Sequence, residues 1–368
     1  MRVLVLWADD RSPNLGVRVL GAGTEALARR VWPDAEFVFY NYGARTAPVR
    51  LGSSTELVRE AVTRRRGLAA WFRGFDLVMD TRAGDSFADI YGLPRLSAMC
   101  AATEYAARLG VPVILSPQTI GPFGSRVATA LARRSLRTAT LVMARDSISA
   151  DASASLGRPV DVLTTDVVFA LEVPEPVEQR DVVLNVSGLL WQPGPHVDSA
   201  AYRRTVAEVY DALVAQGRRV SLLAHVLASD NADDDVPAVR DFQRTHAPEA
   251  EVLVPTSLPQ TREILAGARL VIGSRMHACL NALSVGTPAI PLAYSRKFAP
   301  LMADLGWEHV VDLRSESAGA AARVTAIAAR SDLAEGVATL RQRAENTLAL
   351  ATEALGNRVP VGSAAPRR

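Results

Sequence analysis

Along this chain short apolar runs recur, each closing in a cluster of polar residues and followed by a stretch with helical periodicity. In the first half the runs lie at 3–7, 36–40, 77–79, 112–115 and 141–143, the pattern of strands buried on both faces of a parallel sheet. Helical patterns over 17–31, 54–71, 96–109, 126–137 and 147–156 alternate with them, with Gly110 and Gly157 as stops. This alternation predicts a doubly wound α/β domain. The stretch 173–180, VPEPVEQR, has no apolar face and reads as a linker. The alternation then restarts, with strands predicted at 182–186, 220–223, 251–255, 270–272, 289–292 and 310–313. Helices are predicted over 200–216, 259–268 and 276–285, with two Ala/Arg-rich helices between 318 and 355. The organisation expected is an N-terminal domain over 1–172, a linker over 173–181, a C-terminal domain over 182–356, and a tail over 357–368 with too little apolar material to pack.

Composition narrows the class. At 368 residues the chain is too long for one ordinary core, which agrees with two domains. A formal charge of +2, with no basic block interleaved with aromatics, argues against a nucleic-acid partner. The run Arg64-Arg65-Arg66 reads as a solvated helix face. Cys100 and Cys279 sit in apolar helical contexts and are expected as buried free thiols, and no metal-ligand spacing occurs. The first residues enter a strand pattern with no leader, and no apolar run reaches the roughly 18 residues needed to span a bilayer. A cytoplasmic location follows as an expectation, with peripheral membrane contact left open.

The candidate chemistry lies where the apolar runs end, because open parallel sheets bind ligands at the carboxyl ends of their strands. Asn14 and Gly16 could let a ligand approach the first helix, or could simply form a turn and cap. The early glycines do not start directly off the strand with dinucleotide spacing, so no nicotinamide cofactor is expected. Asp85 and Ser86 follow the third run, Gln118 and Thr119 sit on a stiff Pro/Gly loop, and Arg145 and His225 close later runs. The densest stretch is 270–300, LVIGSRMHACLNALSVGTPAIPLAYSRKFAP, which reads as strand, turn, helix, turn, strand. Arg275 and His277 occupy its first turn, Tyr294 and Lys297 its second, and Lys297 is the only lysine in the chain. Plain alternatives stand beside each residue. Arg145 could be the ion-pair partner of Asp146 or a neighbouring carboxylate, Lys297 a surface lysine, and Asp85 and Asp166 helix caps. His196, His246 and His309 are given no role.

Several motifs occur in order: Pro117-Gln118-Thr119-Ile120-Gly121-Pro122, Ala144-Arg145-Asp146 with Ser149, Thr165-Asp166, Ile272-Gly273-Ser274-Arg275-Met276-His277-Ala278, Gly286-Thr287-Pro288 and Tyr294-Ser295-Arg296-Lys297. Together they resemble the polysaccharide pyruvyl transferase family. The resemblance implies a GT-B-like fold, two Rossmann-like domains facing each other across a cleft that holds the site. It implies phosphoenolpyruvate as donor and co-substrate, no other cofactor and no metal. The acceptor would be a sugar diol of a cell-surface glycan or glycolipid, and the product a pyruvate ketal. Thr81-Arg82-Ala83-Gly84 stands where the family usually has a glycine triplet, and Asn14-Leu15-Gly16-Val17 where it often has Asn-x-Gly-Asp. Both departures fall in the first domain, on the acceptor side. A carboxylate and a phosphate call for cationic forks, which suits Arg275 and then Arg145, with Lys297 as a point charge and Ser274 and Tyr294 completing the donor site. Moving protons near neutral pH suits His277. Asn14, Gly16, Asp85, Ser86, Gln118 and His225 are expected on the acceptor. Two rivals remain: a nucleotide-sugar-dependent GT-B glycosyltransferase or epimerase, disfavoured by the missing Gly-rich diphosphate loop, and a non-catalytic glycan-binding relative.

Overall fold

The computed structural model describes residues 1–227, 233–315 and 319–359. In chain order the elements are β1 (Arg2–Leu6), α1 (Leu15–Arg29), β2 (Glu36–Tyr40), α2 (Ser54–Thr63), α3 (Leu68–Arg73), β3 (Leu77–Asp80), α4 (Leu93–Arg108), β4 (Val113–Gln118), α5 (Arg126–Thr138), β5 (Leu141–Ala144), α6 (Ser147–Ser155) and β6 (Val162–Leu163). There follow β7 (Arg180–Asn185), α7 (Gly188–Trp191), α8 (Ser199–Ala215), β8 (Val220–Leu223), α9 (Asp235–Thr245), β9 (Val252–Leu253), α10 (Leu258–Ala266), β10 (Ala268–Gly273), α11 (Met276–Val285), β11 (Ala289–Ala293), α12 (Phe298–Leu305), β12 (Val311–Asp312), α13 (Ala320–Ala328) and α14 (Leu333–Arg358). Two six-stranded sheets result, ordered β2-β1-β3-β4-β5-β6 and β12-β11-β10-β7-β8-β9. Their strand pairs are parallel, as βαβ crossovers require.

Why the first sheet is buried on both faces is visible in its side-chain alternation. Leu4, Leu6, Val78, Val113, Leu115 and Val142 fill one core, while Val3, Val5, Leu77, Met79, Ile114 and Leu141 fill another. Successive side chains of a strand point to opposite faces, so every second residue of a continuous apolar run enters each core.

The chain divides into two compact units, Met1–Asp10, Leu20–Leu171 and Ala344–Arg368 in the first, Arg11–Val19 and Glu172–Arg343 in the second. The change at residue 171 falls beside the expected linker, but each unit is discontinuous in sequence, unlike the contiguous domains read from the pattern. Two sets of contacts account for this. Asn14 forms a bridge with Val226, and Leu348, Ala351 and Leu355 of α14 fill the same core as Val3 and Leu27. The tail expected from Asn357 lies, beyond Val359, outside the described residues.

Two local departures have backbone causes. The helix predicted over 54–71 breaks into α2 and α3, because Arg64 adopts a left-handed cap (φ 50°) whose N–H donates to the Glu60 carbonyl. Glu60, 2% exposed, then accepts from the Arg66 backbone N–H at 2.9 Å, so the arginine run is a turn rather than a helix face. After β3, Arg82, Ala83 and Gly84 all have positive φ (48°, 50° and 81°). That is the conformation a glycine triplet adopts without strain, and here two side-chain-bearing residues hold it. Arg82 anchors the turn: it is fully buried, and its guanidinium donates to Asp80 Oδ2 at 2.5 Å, Thr103 Oγ1 at 3.1 Å and Ser135 Oγ at 2.6 Å.

Candidate functional site

In the second sheet the strand order reverses between β7 and β10, and it is at such a reversal, beyond the carboxyl ends of the strands, that open α/β sheets bind ligands. Asn185 ends β7, and Ser274-Arg275 follows β10 into α11. The Asn185 amide accepts from the Arg275 backbone N–H at 2.9 Å, tying the two strand ends together.

A single buried carboxylate organises this edge. Asp235, the first residue of α9, is fully buried. Its Oδ1 accepts from the Gly188 N–H at 2.7 Å and from Arg275 Nε and Nη2 at 3.1 and 2.7 Å. Its Oδ2 accepts from the His225 and Val226 N–H groups at 3.0 and 2.9 Å. Arg275 Nη2 also donates to the Asp233 carbonyl. Burial opposes the charge on Arg275, yet Asp235, Tyr294 and Asp233 together outweigh it and hold its pKa above the ordinary arginine value. Arg275 therefore stays charged, and much of its fork is committed to the loops it joins. Ser274 is likewise interior: its hydroxyl bonds Tyr202 Oη at 2.9 Å, and the same Oη accepts from the Ser187 N–H at 2.9 Å.

His277 stands half-buried one turn on. The carbonyl of His277 accepts from Asn281 Nδ2 at 2.7 Å, and Asn281 Nδ2 lies 3.4 Å from His225 Nε2. His225 is 1% exposed, and burial first, then His277 and Arg275, push its pKa well below 6.5, so it is neutral at pH 7. Against His277 lies the first βα loop. A Cβ at Gly16 would stand 2.8 Å from His277 Nδ1, and the Gly16 N–H donates to Asn14 Oδ1 at 2.9 Å. Asn14 and Gly16, expected on the acceptor side of the first domain, thus belong to the second unit, with Gly16 packed beside His277.

Tyr294 and Lys297, both half-buried, leave β11 on the same sheet edge. The His196 ring meets Tyr294 edge-on at 5.2 Å. Burial, then the charges of Lys297 and Arg275, lower the pKa of His196. A pocket of about 270 Å³ opens here, lined by His196, Asp198, Tyr202, Thr205, Leu313 and Arg314. His196, given no role from sequence, is therefore within electrostatic reach of two of the expected donor residues.

The remaining expected residues lie in the first unit. Arg145 is 1% exposed and donates through Nη1 to Asp166 Oδ2 at 2.7 Å and through Nε to Thr119 Oγ1 at 3.0 Å. The ion-pair alternative describes it, with Asp166 rather than Asp146 as partner; Asp146 caps α6 through Ser149 N–H at 2.8 Å. Gln118, the last residue of β4, and Ser86 are also buried. Asp85 is half-buried and accepts from Tyr91 Oη at 2.6 Å. Both cysteines are buried and free, and burial raises the pKa of each thiol. Among the described residues no cluster of His, Cys, Asp and Glu suited to a metal occurs, and no helix is long and apolar enough to cross a membrane.

The family model of polysaccharide pyruvyl transferases matches residues 14–296. The chain belongs to the polysaccharide pyruvyl transferase family. The matched span runs through both units and takes in Arg145, Arg275 and His277, ending one residue before Lys297. Solved structures of other activities share the fold. The UDP-GlcNAc 2-epimerase of Neisseria meningitidis, bound to UDP-GlcNAc, superposes with a TM-score of 0.60 at 12% identity over 97% of this chain and 100% of that one. A putative UDP-N-acetylglucosamine 2-epimerase of Listeria monocytogenes gives 0.60 at 9% identity, covering 97% and 96%. The spinosyn rhamnosyltransferase SpnG gives 0.54 at 13%, covering 96% and 100%. At such identities the likeness is one of fold, a pair of α/β domains of the GT-B type.

Proposed function

We propose that this family member transfers the pyruvyl group of phosphoenolpyruvate to two hydroxyls of a sugar in a glycan or glycolipid, forming a cyclic ketal in the cytoplasm. The observation that carries the proposal is the carboxyl edge of the second sheet. A half-buried histidine, His277, is fixed there by a close-packed glycine beside a permanently charged arginine, with Tyr294, Lys297 and His196 on the adjoining loops. Phosphoenolpyruvate brings a carboxylate and a phosphate; Lys297 supplies a positive charge for them, and His196, with its pKa lowered, a neutral hydrogen-bonding ring. Arg275, paired with Asp235 and bonded through its backbone N–H to Asn185, fixes the strand-end loops beside these groups.

In the scheme His277 delivers a proton to the methylene carbon, and positive character develops at C2. A sugar hydroxyl adds to C2 and its proton returns to the imidazole. The second hydroxyl then displaces phosphate, which leaves with that hydroxyl's proton, and the ring closes. Phosphoenolpyruvate and the diol thus give ketal and inorganic phosphate, and no other co-reactant enters the balance.

The test is phosphate release from phosphoenolpyruvate with a pool of candidate glycans, followed by mass analysis for the ketal. Wild-type protein is expected to release phosphate only when glycan is present. His277→Ala is expected to lower the rate about 10²–10⁴-fold with its unfolding midpoint unchanged. Full activity in that variant would remove His277 from the chemistry.

A further inference from the structure

We propose a hexopyranose-binding pocket on the first unit, at the carboxyl end of β2, with the ring of Tyr42 as its platform. A cavity of about 440 Å³ is lined there by Tyr40, Tyr42, Arg50, Ser53, Thr55 and Pro94. None of these residues is part of the motifs that carried the functional reading, and none belongs to the second unit.

The geometry is that of a stacking site held rigid in advance. Tyr42 is 39% exposed, yet its ring is fixed on three sides. Trp7, fully buried, lies 6.0 Å away between centroids; the Arg95 guanidinium sits 4.8 Å over the ring; and Tyr42 Oη donates to the Gly52 carbonyl at 3.3 Å. Arg95 is itself held between two rings, with Tyr91 at 5.5 Å. Its Nε is buried and bonds no group among the described residues. The C–H face of a pyranose is apolar while its rim carries hydroxyls. A half-exposed aromatic flanked by a guanidinium and by the hydroxyls of Ser53 and Thr55, 3.0 Å apart, matches both parts. Tyr91, 44% exposed, and Leu93, 37% exposed, extend the apolar rim at the start of α4. Arg50 already pairs with Glu56 at 2.6 Å, so the pocket is not a strongly charged one and suits a neutral sugar.

Membership in a family named for polysaccharide gives the occupant its class. The sugar's role as the acceptor, or a unit next to it, rests on the proposed function; the binding itself does not. The probes are methyl β-glucopyranoside, methyl β-galactopyranoside and methyl N-acetyl-β-glucosaminide, each tested against the full chain by saturation-transfer NMR without donor. At least one is expected to receive saturation on its ring protons. Tyr42→Ala is expected to weaken that transfer about tenfold, and Tyr42→Phe to retain it. Should Tyr42→Ala unfold, Thr55→Trp blocks the pocket from an exposed helical position and is expected to give the same loss. No transfer to any probe in the wild type, or transfer that survives both blocking variants, overturns the site. A phosphoenolpyruvate thermal shift on the same samples separates this result from the donor reading: it is expected to be equal in wild type and Tyr42→Ala.

Discussion

Both units place a buried arginine–aspartate pair where parallel strands end, and the two pairs serve different ends. In the first unit Arg145 and Asp166 are each at most 2% exposed in their side chains and are surrounded by loop interior. In the second, Arg275 is paired as firmly to a fully buried Asp235, but its neighbours His277, Tyr294 and Lys297 are half-buried, and His196, in ring contact with Tyr294, lines a pocket. The pair alone is thus no mark of a site. What distinguishes the second edge is the company of groups that can change protonation or touch solvent.

The comparison breaks most visibly if either carboxylate is removed. Asp235→Ala and Asp166→Ala each leave a buried guanidinium unpaired and are expected to cost roughly 3–5 kcal/mol in denaturant unfolding. Measured below their midpoints, Asp235→Ala should lose phosphoenolpyruvate binding and Asp166→Ala should keep it. Loss in both would return Arg145 to the donor grip.

Next in size is Gly16→Ala. Its methyl group would fall 2.8 Å from His277 Nδ1, so the imidazole must move, and a misplaced catalytic group costs on the order of 10²-fold in rate. Phosphate-release kinetics with little change in unfolding midpoint would check it; unchanged kinetics would separate the first βα loop from the chemistry.

A smaller effect distinguishes the two edges by pH. His225 has a native pKa well below its unfolded value of 6.5, so the unfolded chain binds the proton first as pH falls. Its contribution is complete above pH 6.5 and is lost on acidification, at up to about 1.4 kcal/mol per pH unit until the native imidazole titrates. His225→Gln should flatten that part of the stability profile below pH 6.5. The smallest effect belongs to the first unit. Ala83 at φ 50° carries left-handed strain that glycine relieves, and Ala83→Gly should stabilise by roughly 0.5–1 kcal/mol net of glycine's own entropy.

Much of this architecture was legible because strand runs and strand-end polar clusters are local in sequence. The turn holding Arg275 and His277 followed from one βα boundary in that way. Asp235 did not, since it lies 40 residues from the arginine it neutralises and resembles any other residue of a polar turn. His196 was silent for the same reason: its partner Tyr294 comes from a different strand end. Asn14 and Gly16 stood out as a turn after the first strand, but the pattern could not say that this loop belongs to the second unit. Conversely, Gln118, Ser274 and Arg145 stood out as polar residues after a strand, and the pattern could not say that the packed chain buries all three.

The most direct measurement is the thermal shift of the wild type and of Lys297→Met with phosphoenolpyruvate and with UDP-GlcNAc. At a hundredfold excess over its dissociation constant, phosphoenolpyruvate should stabilise the wild type by about 2.7 kcal/mol, and much less in Lys297→Met, while UDP-GlcNAc leaves both unmoved. Stabilisation by UDP-GlcNAc with none from phosphoenolpyruvate would contradict the assignment of the second sheet's edge to a small doubly anionic enol.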